Sequence, residues 1–249
     1  MILLLDIGNT RLKWALLADG KLGQQHALVY RPESLPAELE QAWSALPPPR
    51  AVYLVSVAAS VITQGVQDWA ARRWGCRVVN LQSTGRNGGV VNGYTRPERL
   101  GVDRWMAMIG AYRLVGSALC VIDCGTALTC DAIDSHGNHL GGVIAPGQEM
   151  MRRALLHNTA GIAVAEVAAR VTDWGQDTTG CVVAGTVQAT VGLIERMVTK
   201  LQSQLGVPVT AILTGGDAEQ LLPLLSFPCR YEADLVLQGI ACIVADQRG

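Results

Sequence analysis

Neither sign of charge predominates in this sequence. Twenty Lys and Arg stand against 21 Asp and Glu, a net charge of -1, which leaves no electrostatic footprint for nucleic acid or an anionic membrane. Any anion the protein binds is therefore met locally. No CxxC pair occurs among the seven Cys, their number is odd, and no His stands near them at ligand spacing. A disulfide framework and a structural zinc site are thereby disfavoured, and buried thiols are expected. Histidine is scarce, and two of the four, His136 and His139, sit in the turn-like DSHGNHLGG with too few local ligands for a metal pair. No uncharged apolar run reaches the roughly 18 residues needed to cross a bilayer. The opening MILLL lacks a basic flank and is cut by Asp6, so neither a signal peptide nor a membrane anchor is expected, and the expected compartment is the cytoplasm.

What is present is core-forming material. Hydrophobic residues make up 49% of the 249 and charged ones 16%, which excludes disorder of the low-hydrophobicity, high-charge kind. The length is long for one domain and short for two. Six Trp and five Tyr are scattered and read as core residues rather than base-stacking platforms.

The chain opens MILLLDIGNTRLKW, an apolar run that meets Asp6 and then Gly-Asn-Thr, and the pattern returns at CVIDCGTALTCDA, where Asp123 ends a second apolar run. Aligned on the acids at an offset of 117, Gly8 falls on Gly125, Ala15 on Ala132 and Gly20 on Gly137. A period that long is no solenoid repeat and indicates a duplicated domain. Each copy reads as a β-hairpin joined by an acid-x-Gly turn, with partial alternation in the second strand at Leu12, Trp14 and Leu16 or at Leu128, Cys130 and Ala132. Glycine lets backbone N–H groups approach a ligand closely, and Thr or Asn adds a neutral donor, so two such turns facing each other are suited to a polyphosphate. The acid repels phosphate but can hold a cation that bridges to it. The competing reading is that Asp6 and Asp123 only brace their own turns, as Asp often does; two copies in register favour the ligand role.

Strands near HALVY, VYLVSV (52–57), RVVNL, GGVIAPG and PVTAILTGG alternate with helices over ESLPAELEQAWSAL, 61–74, from about 147, and near 178–204, which indicates an α/β fold. A helix is expected over 97–115, opened by Pro97 and carrying Leu100, Met108, Ile109 and Tyr112 on one inward face. Gly101 inside that helix costs about 1 kcal/mol relative to Ala, so a close backbone approach is expected there. Asp103 and Arg104 lie about a quarter-turn apart; the carboxylate suits a general base and the guanidinium a bidentate acid contact. An exposed, functionless pair is the alternative. QSTGRNGGVVNGY (82–94) reads as a mobile loop over a pocket or as simple surface linkage, and Arg152-Arg153 as a solvated helix face.

Together DIGNT (6–10), GVDR (101–104), DCGTALT (123–129), GGVIAPG (141–147) and TGGDA (214–218) resemble the type III pantothenate kinases, a bacterial branch of the acetate and sugar kinase/Hsc70/actin (ASKHA) superfamily. The resemblance implies an α/β fold of duplicated actin-like, ribonuclease H-like domains with a cleft between them, residues 1–115 carrying the first phosphate loop and 116–249 the second. It implies ATP-dependent phosphorylation of pantothenate to 4′-phosphopantothenate, the first step of coenzyme A biosynthesis, by a homodimer using Mg²⁺ and a monovalent cation, K⁺ or NH₄⁺. Asp6, Ile7, Gly8, Asn9, Thr10, Arg11, Leu12 and Lys13 correspond to the first phosphate loop, with Asp6 a possible Mg²⁺ contact, and Thr126 to the ATP-contacting threonine of the second. Asp123 corresponds to the residue associated with the monovalent cation, and Asp103 to the general base. Tyr94, Gly101, Val102, Asp103 and Arg104 correspond to the pantothenate contacts. Thr178, with Thr179 as the alternative, resembles a threonine that reaches the pocket from the partner subunit, although Asp177 stands where the family more often has Asn or Ser. TGGDA resembles the nucleotide-side glycine turn. Two other readings stay open: a kinase for another small alcohol or a sugar on the same fold, and a non-catalytic ATP-binding regulatory factor, the latter disfavoured by intact Asp6, Asp103 and Asp123.

Overall fold

The computed structural model describes residues 1–158 and 174–247. They divide into two compact units, the first formed by the described residues of Met1–Gly116, Gly137–His139 and Asp234–Gly249, the second by those of Ser117–His136 and Leu140–Ala233.

The first unit is built on β1 (Ile2–Ile7), every residue of which is buried. An apolar strand buried on both faces belongs at the centre of a sheet. There it pairs antiparallel with β2 (Arg11–Ala18) and parallel with β5 (Ala51–Ser56). The sheet runs β3 (Lys21–Leu22), β2, β1, β5, β6 (Arg77–Asn80), and β4 (His26–Val29) pairs with β2. One face, carrying Leu3, Leu5, Ile7, Leu12 and Trp14, packs against α1 (Leu35–Trp43) and α2 (Ser60–Trp74). Trp43 lies at the centre of this core, with ring centroids 5.4 Å from Trp69, 5.8 Å from Trp74 and 5.9 Å from Trp14. These indoles pack in the core as expected, but Trp174 is 86% exposed and departs from that reading. A short hairpin of β7 (Arg86–Asn87) and β8 (Val90–Val91) leads to α3 (Val102–Val115).

The second unit repeats the plan. Its sheet runs β11 (His139–Pro146), β10 (Ala127–Ile133), β9 (Leu119–Cys124), β12 (Thr210–Thr214), β13 (Cys229–Tyr231), with β9 antiparallel to β10 and parallel to β12. After β11 come α4 (Gln148–Asn158) and α5 (Thr178–Leu205), and α6 (Ala218–Leu221) follows β12. Val187, Val191, Ile194, Val198 and Leu201 of α5 cover Cys120, Ile122, Cys124, Leu128 and Cys130. By length and composition α5 is apolar enough to cross a membrane, but half of its most apolar window is buried in the fold, as expected of a core helix.

The register refines the sequence repeat. In the first hairpin Ile7 pairs with Leu12, leaving four residues in the loop; in the second Cys124 pairs with Leu128, leaving three. The copies therefore correspond at an offset of 117 before the turn and 116 after it. The Ala15/Ala132 and Gly20/Gly137 matches are coincidences of sequence, whereas Leu12, Trp14, Leu16 and Leu128, Cys130, Ala132 are structural equivalents. A one-residue slip inverts the faces of a strand, so the alternation marks the true register.

The closing helix α7 (Leu235–Asp246) groups with the first unit, where a division at 115/116 would assign it to the second half. Two glycines explain its seat on α3. A Cβ at Gly239 would lie 1.9 Å from the Met106 carbonyl oxygen, and one at Gly110 2.6 Å from that of Leu235, so the backbones meet with no side chain between them. Arg113 closes the far end, its Nη2 donating to both carboxylate oxygens of Asp246 at 2.8 Å. Alanine normally favours a helix interior by about 1 kcal/mol over glycine. Gly239→Ala is instead expected to destabilise the protein by about 1–3 kcal/mol through overpacking, measured as a lower urea midpoint; a higher midpoint would contradict this seat.

Candidate functional site

The first acid-glycine turn follows from the burial of β1. Alternation sends Leu5 and Ile7 into the helix-covered core and Asp6 to the other face, where it is 8% exposed and lies in register with Lys13 and Val55. The Gly8 N–H donates to the Arg11 carbonyl at 3.0 Å, and the Tyr30 hydroxyl donates to the Gly8 carbonyl at 2.6 Å. Burial pushes the Tyr30 pKa up, which keeps that hydroxyl a donor. Of the eight residues Asp6–Lys13, Asn9, Thr10 and Arg11 are exposed and Lys13 half-buried, whereas Ile7 and Leu12 are wholly buried. Those two side chains belong to the core, so only their backbone is available to a ligand.

The second turn is tighter. Asp123 is half-buried in register with Thr129 and Thr214. The Gly125 N–H donates to the Ala127 carbonyl at 3.2 Å, and Thr126 is exposed. Two further glycines, each within a quoted motif but with no individual role assigned from sequence, close on this turn. The Gly147 N–H donates to the Thr126 carbonyl at 3.1 Å, and a Cβ there would lie 2.4 Å from the Gly125 carbonyl oxygen. Gly215 has φ +96°, and its Cβ would lie 2.5 Å from Asp123 Oδ1. The Asp217 N–H then donates to the Cys124 carbonyl at 2.9 Å. The signal for both was glycine directly after an apolar strand, a sign of close backbone approach. Burial, with the charges of Asp123 and Asp217 behind it, pushes the Cys124 thiol far up, so it is an inert core thiol. Cys120 and Cys130 are also buried, but Cys181 is exposed, contrary to a uniform reading of buried thiols.

Among the described residues no group of three or more His, Cys, Asp or Glu is placed to hold a metal ion. Asp6 and Asp123 each offer a carboxylate at a glycine turn, which fits a cation completed by phosphate oxygens and water rather than a cage made by protein alone.

The residues expected on the substrate side, Tyr94 and Gly101–Arg104, lie in the first unit. The expected continuous helix 97–115 is broken: Pro97–Arg99 form a 3₁₀ turn, Leu100 is extended, and α3 begins after Gly101 as its N-cap. Gly101 has ordinary dihedrals, and the close approach comes from Asp103, whose Oδ1 would lie 2.7 Å from a Cβ at 101. That oxygen accepts the Arg104 N–H at 2.7 Å. Asp103 is half-buried, Val102 is 6% and Arg104 8% exposed. Arg104 Nη1 donates to the Tyr94 hydroxyl at 3.1 Å. The adjacent pair is thus no exposed helix decoration: the base candidate and the guanidinium share one helix end with a tyrosine.

The loop 82–94 is held rather than loose. Buried Asn92 donates to the carbonyls of Thr84 and Pro97, both at 3.2 Å, and accepts from the Tyr94 N–H at 3.0 Å. The Ser83 hydroxyl donates to the Leu100 carbonyl at 2.8 Å, and Gly88 and Gly89 sit against Ile109 and Tyr112.

Thr178 lies in the second unit, exposed at the start of α5, with Thr179 half-buried. Asp177 is the N-cap, accepting the Gly180 N–H at 2.7 Å. Asn, Ser and Asp cap helices about equally well, which accounts for Asp at this position. Of the paired arginines, Arg153 is exposed, and both bridge to Glu149.

A family model described as type III pantothenate kinase matches residues 2–200. A type III pantothenate kinase of Nitrosococcus oceani is 33% identical over 99% of this chain and 94% of its own, and one of Methylibium petroleiphilum 37% over 100% and 99%. Among solved structures, a Baf family protein of Campylobacter jejuni superposes with a TM-score of 0.62 at 19% identity, covering 99% and 98% of the two chains. A ROK family glucokinase of Streptomyces griseus, in complex with glucose and AMPPNP, gives 0.52 at 14%, covering 100% and 99%. These structures establish the actin-like kinase fold.

Alanine at 215 must adopt a positive φ and displace the Asp123 carboxylate. Gly215→Ala is expected to cost about 1–3 kcal/mol of stability, read by urea denaturation; a variant as stable as the parent would contradict the close packing of this turn.

Proposed function

The chain belongs to the type III pantothenate kinase family, and we propose that it transfers the γ-phosphoryl group of ATP to the primary hydroxyl of pantothenate, the first step of coenzyme A biosynthesis. The observation that carries this reading is the shared helix end of Asp103, Arg104 and Tyr94, where a carboxylate able to receive a hydroxyl proton lies beside a guanidinium and a phenol able to hold an acid group.

Because the transition state of phosphoryl transfer is loose, alignment and charge neutralisation supply most of the catalysis. Each glycine turn by itself exposes side chains suited to phosphate oxygens, Asn9, Thr10 and Arg11 in the first and Thr126 in the second. Asp6 would hold Mg²⁺ and Asp123 a monovalent cation, K⁺ or NH₄⁺, which when bound neutralise charge at the phosphates. Asp103 orients the acceptor hydroxyl and takes its proton as the new O–P bond forms and the bond from the γ-phosphorus to the bridging oxygen of the leaving ADP breaks. The functional form in this reading is a cytoplasmic homodimer in which Thr178 reaches the partner's pantothenate pocket, without nucleic acid or membrane among its partners.

A coupled ATP-consumption assay over a panel of small alcohols and sugars, with Mg²⁺ and with or without K⁺, tests the proposal. Pantothenate should be the clearly preferred acceptor and K⁺ should raise the rate. Preference for a sugar would transfer the reading to another kinase of this fold, and no ATP consumption with any acceptor would favour an accessory factor. Asp103→Asn is expected to retain binding of both substrates while kcat falls by about 10²–10⁴-fold; near-normal turnover would remove Asp103 from the base role.

A further inference from the structure

We infer that His139 is a positioning residue for the acceptor site: its imidazole sets the orientation of Tyr94, and through Tyr94 that of Arg104. This inference rests on the acceptor reading above. His139 is 3% exposed, and its ring stacks on Tyr94 with centroids 5.9 Å apart and planes inclined by 18°. Tyr94 is thus restrained at three points. Its backbone N–H is held by Asn92, its hydroxyl by Arg104 at 3.1 Å, and its ring face by His139.

The stack is built in by the backbone. A Cβ at Gly93 would lie 1.9 Å from the His139 carbonyl oxygen, so no side chain at 93 can coexist with this placement. The Val91 N–H donates to the Gly137 carbonyl at 2.9 Å, and Val91 forms a parallel bridge with Asn138. Gly137, at φ +83°, would carry a Cβ 2.2 Å from the Gly89 carbonyl oxygen. The turn before β11 is therefore sewn onto the Tyr94 loop, which is why Gly137–His139 group with the first unit. On the tyrosine side, Arg104 Cζ lies 5.9 Å from the Tyr94 ring centroid in addition to the hydroxyl contact, so ring and guanidinium are in contact at two points. Arg104 is 8% exposed and has little room to compensate.

The consequence is selective. Loss of the imidazole releases the face of Tyr94 and weakens capture of the acid-bearing acceptor, while the first turn, held by Arg11 and Tyr30, keeps its geometry. His139→Ala is expected to raise the pantothenate KM by about 3- to 10-fold, the worth of one aromatic contact, with kcat and the ATP KM changed less than about twofold on the same scale. His139→Phe keeps a flat face and should return the pantothenate KM to within about twofold of the parent. A second readout is independent of turnover. With only five Tyr in the chain, ring resonances of ¹³C-tyrosine-labelled protein can be assigned using Tyr94→Phe. Because losing the imidazole ring current shifts these signals even without movement, the readout is the set of nuclear Overhauser contacts between the Tyr94 ring and the Arg104 side chain, which should weaken in His139→Ala and persist in His139→Phe.

An unchanged pantothenate KM with unaltered Tyr94–Arg104 Overhauser contacts in His139→Ala overturns the inference, as does a lower thermal midpoint with the KM intact, which would mark plain packing. Equal impairment of the Phe and Ala variants also overturns it, because it would assign the effect to imidazole chemistry rather than to stacking. If the parent protein does not phosphorylate pantothenate, the proposed function fails, and the resonance comparison alone still decides whether His139 orients Tyr94.

Discussion

Everything distinctive in this protein depends on one costly arrangement: a carboxylate placed near the end of a strand that is otherwise given over to the core. Asp6 follows four consecutive buried aliphatic residues and is itself 8% exposed. Taking an ionised group that far out of water is unfavourable unless charge or hydrogen bonds compensate. The fold repeats the arrangement at Asp123, with the same strand order around it and the same helix-covered opposite face. In both, the sheet fixes the strand on two sides and a glycine turn follows at once. Main-chain pairing therefore fixes where the carboxylate stands in each copy. The second copy is the more constrained, since Gly147 and Gly215 bring two more segments against its turn.

The acceptor residues obey a different logic. Asp103 and Arg104 lie at the start of a helix, and that start is set by Gly101, whose lack of a side chain leaves space for the Asp103 carboxylate. Helix α3 is in turn fixed by its glycine-mediated contact with α7, and the Tyr94 loop by Asn92 and by the turn at Gly137–His139. A helix end that holds a carboxylate and a guanidinium in contact with a phenol is the kind of preorganised platform on which the proposed positioning catalysis would rest.

Much of this was legible in the sequence, for identifiable reasons. Apolar runs ending in an acid and a glycine gave both hairpins, and alternation at Leu12, Trp14, Leu16 and at Leu128, Cys130, Ala132 placed their second strands on the correct face. The one-residue difference between the turns was hidden, because chance identities at Ala132 and Gly137 preserved a false offset. Gly101 was noticed as a point of close approach, but the helix break beside it was not, since Leu100 and Glu98 are compatible with a helix. The allegiance of α7 and of Gly137–His139 to the first unit comes from contacts between residues distant in sequence, Gly239 with Met106 and Gly93 with His139, and no local pattern announces those. The buried histidine at 139 was read as part of a polar turn because glycine and asparagine surround it.

The central claim is that the acids at the strand ends serve a ligand rather than brace their own turns. Thermal stability and kcat/KM for ATP measured together on Asp6→Asn and Asp123→Asn test it most directly. A ligand role predicts a fall of about 100-fold or more in kcat/KM, the scale of lost electrostatic stabilisation in phosphoryl transfer, with a thermal midpoint unchanged or raised, as when a charge held for function is removed. A midpoint that drops while the remaining folded enzyme uses ATP as well as the parent would contradict it.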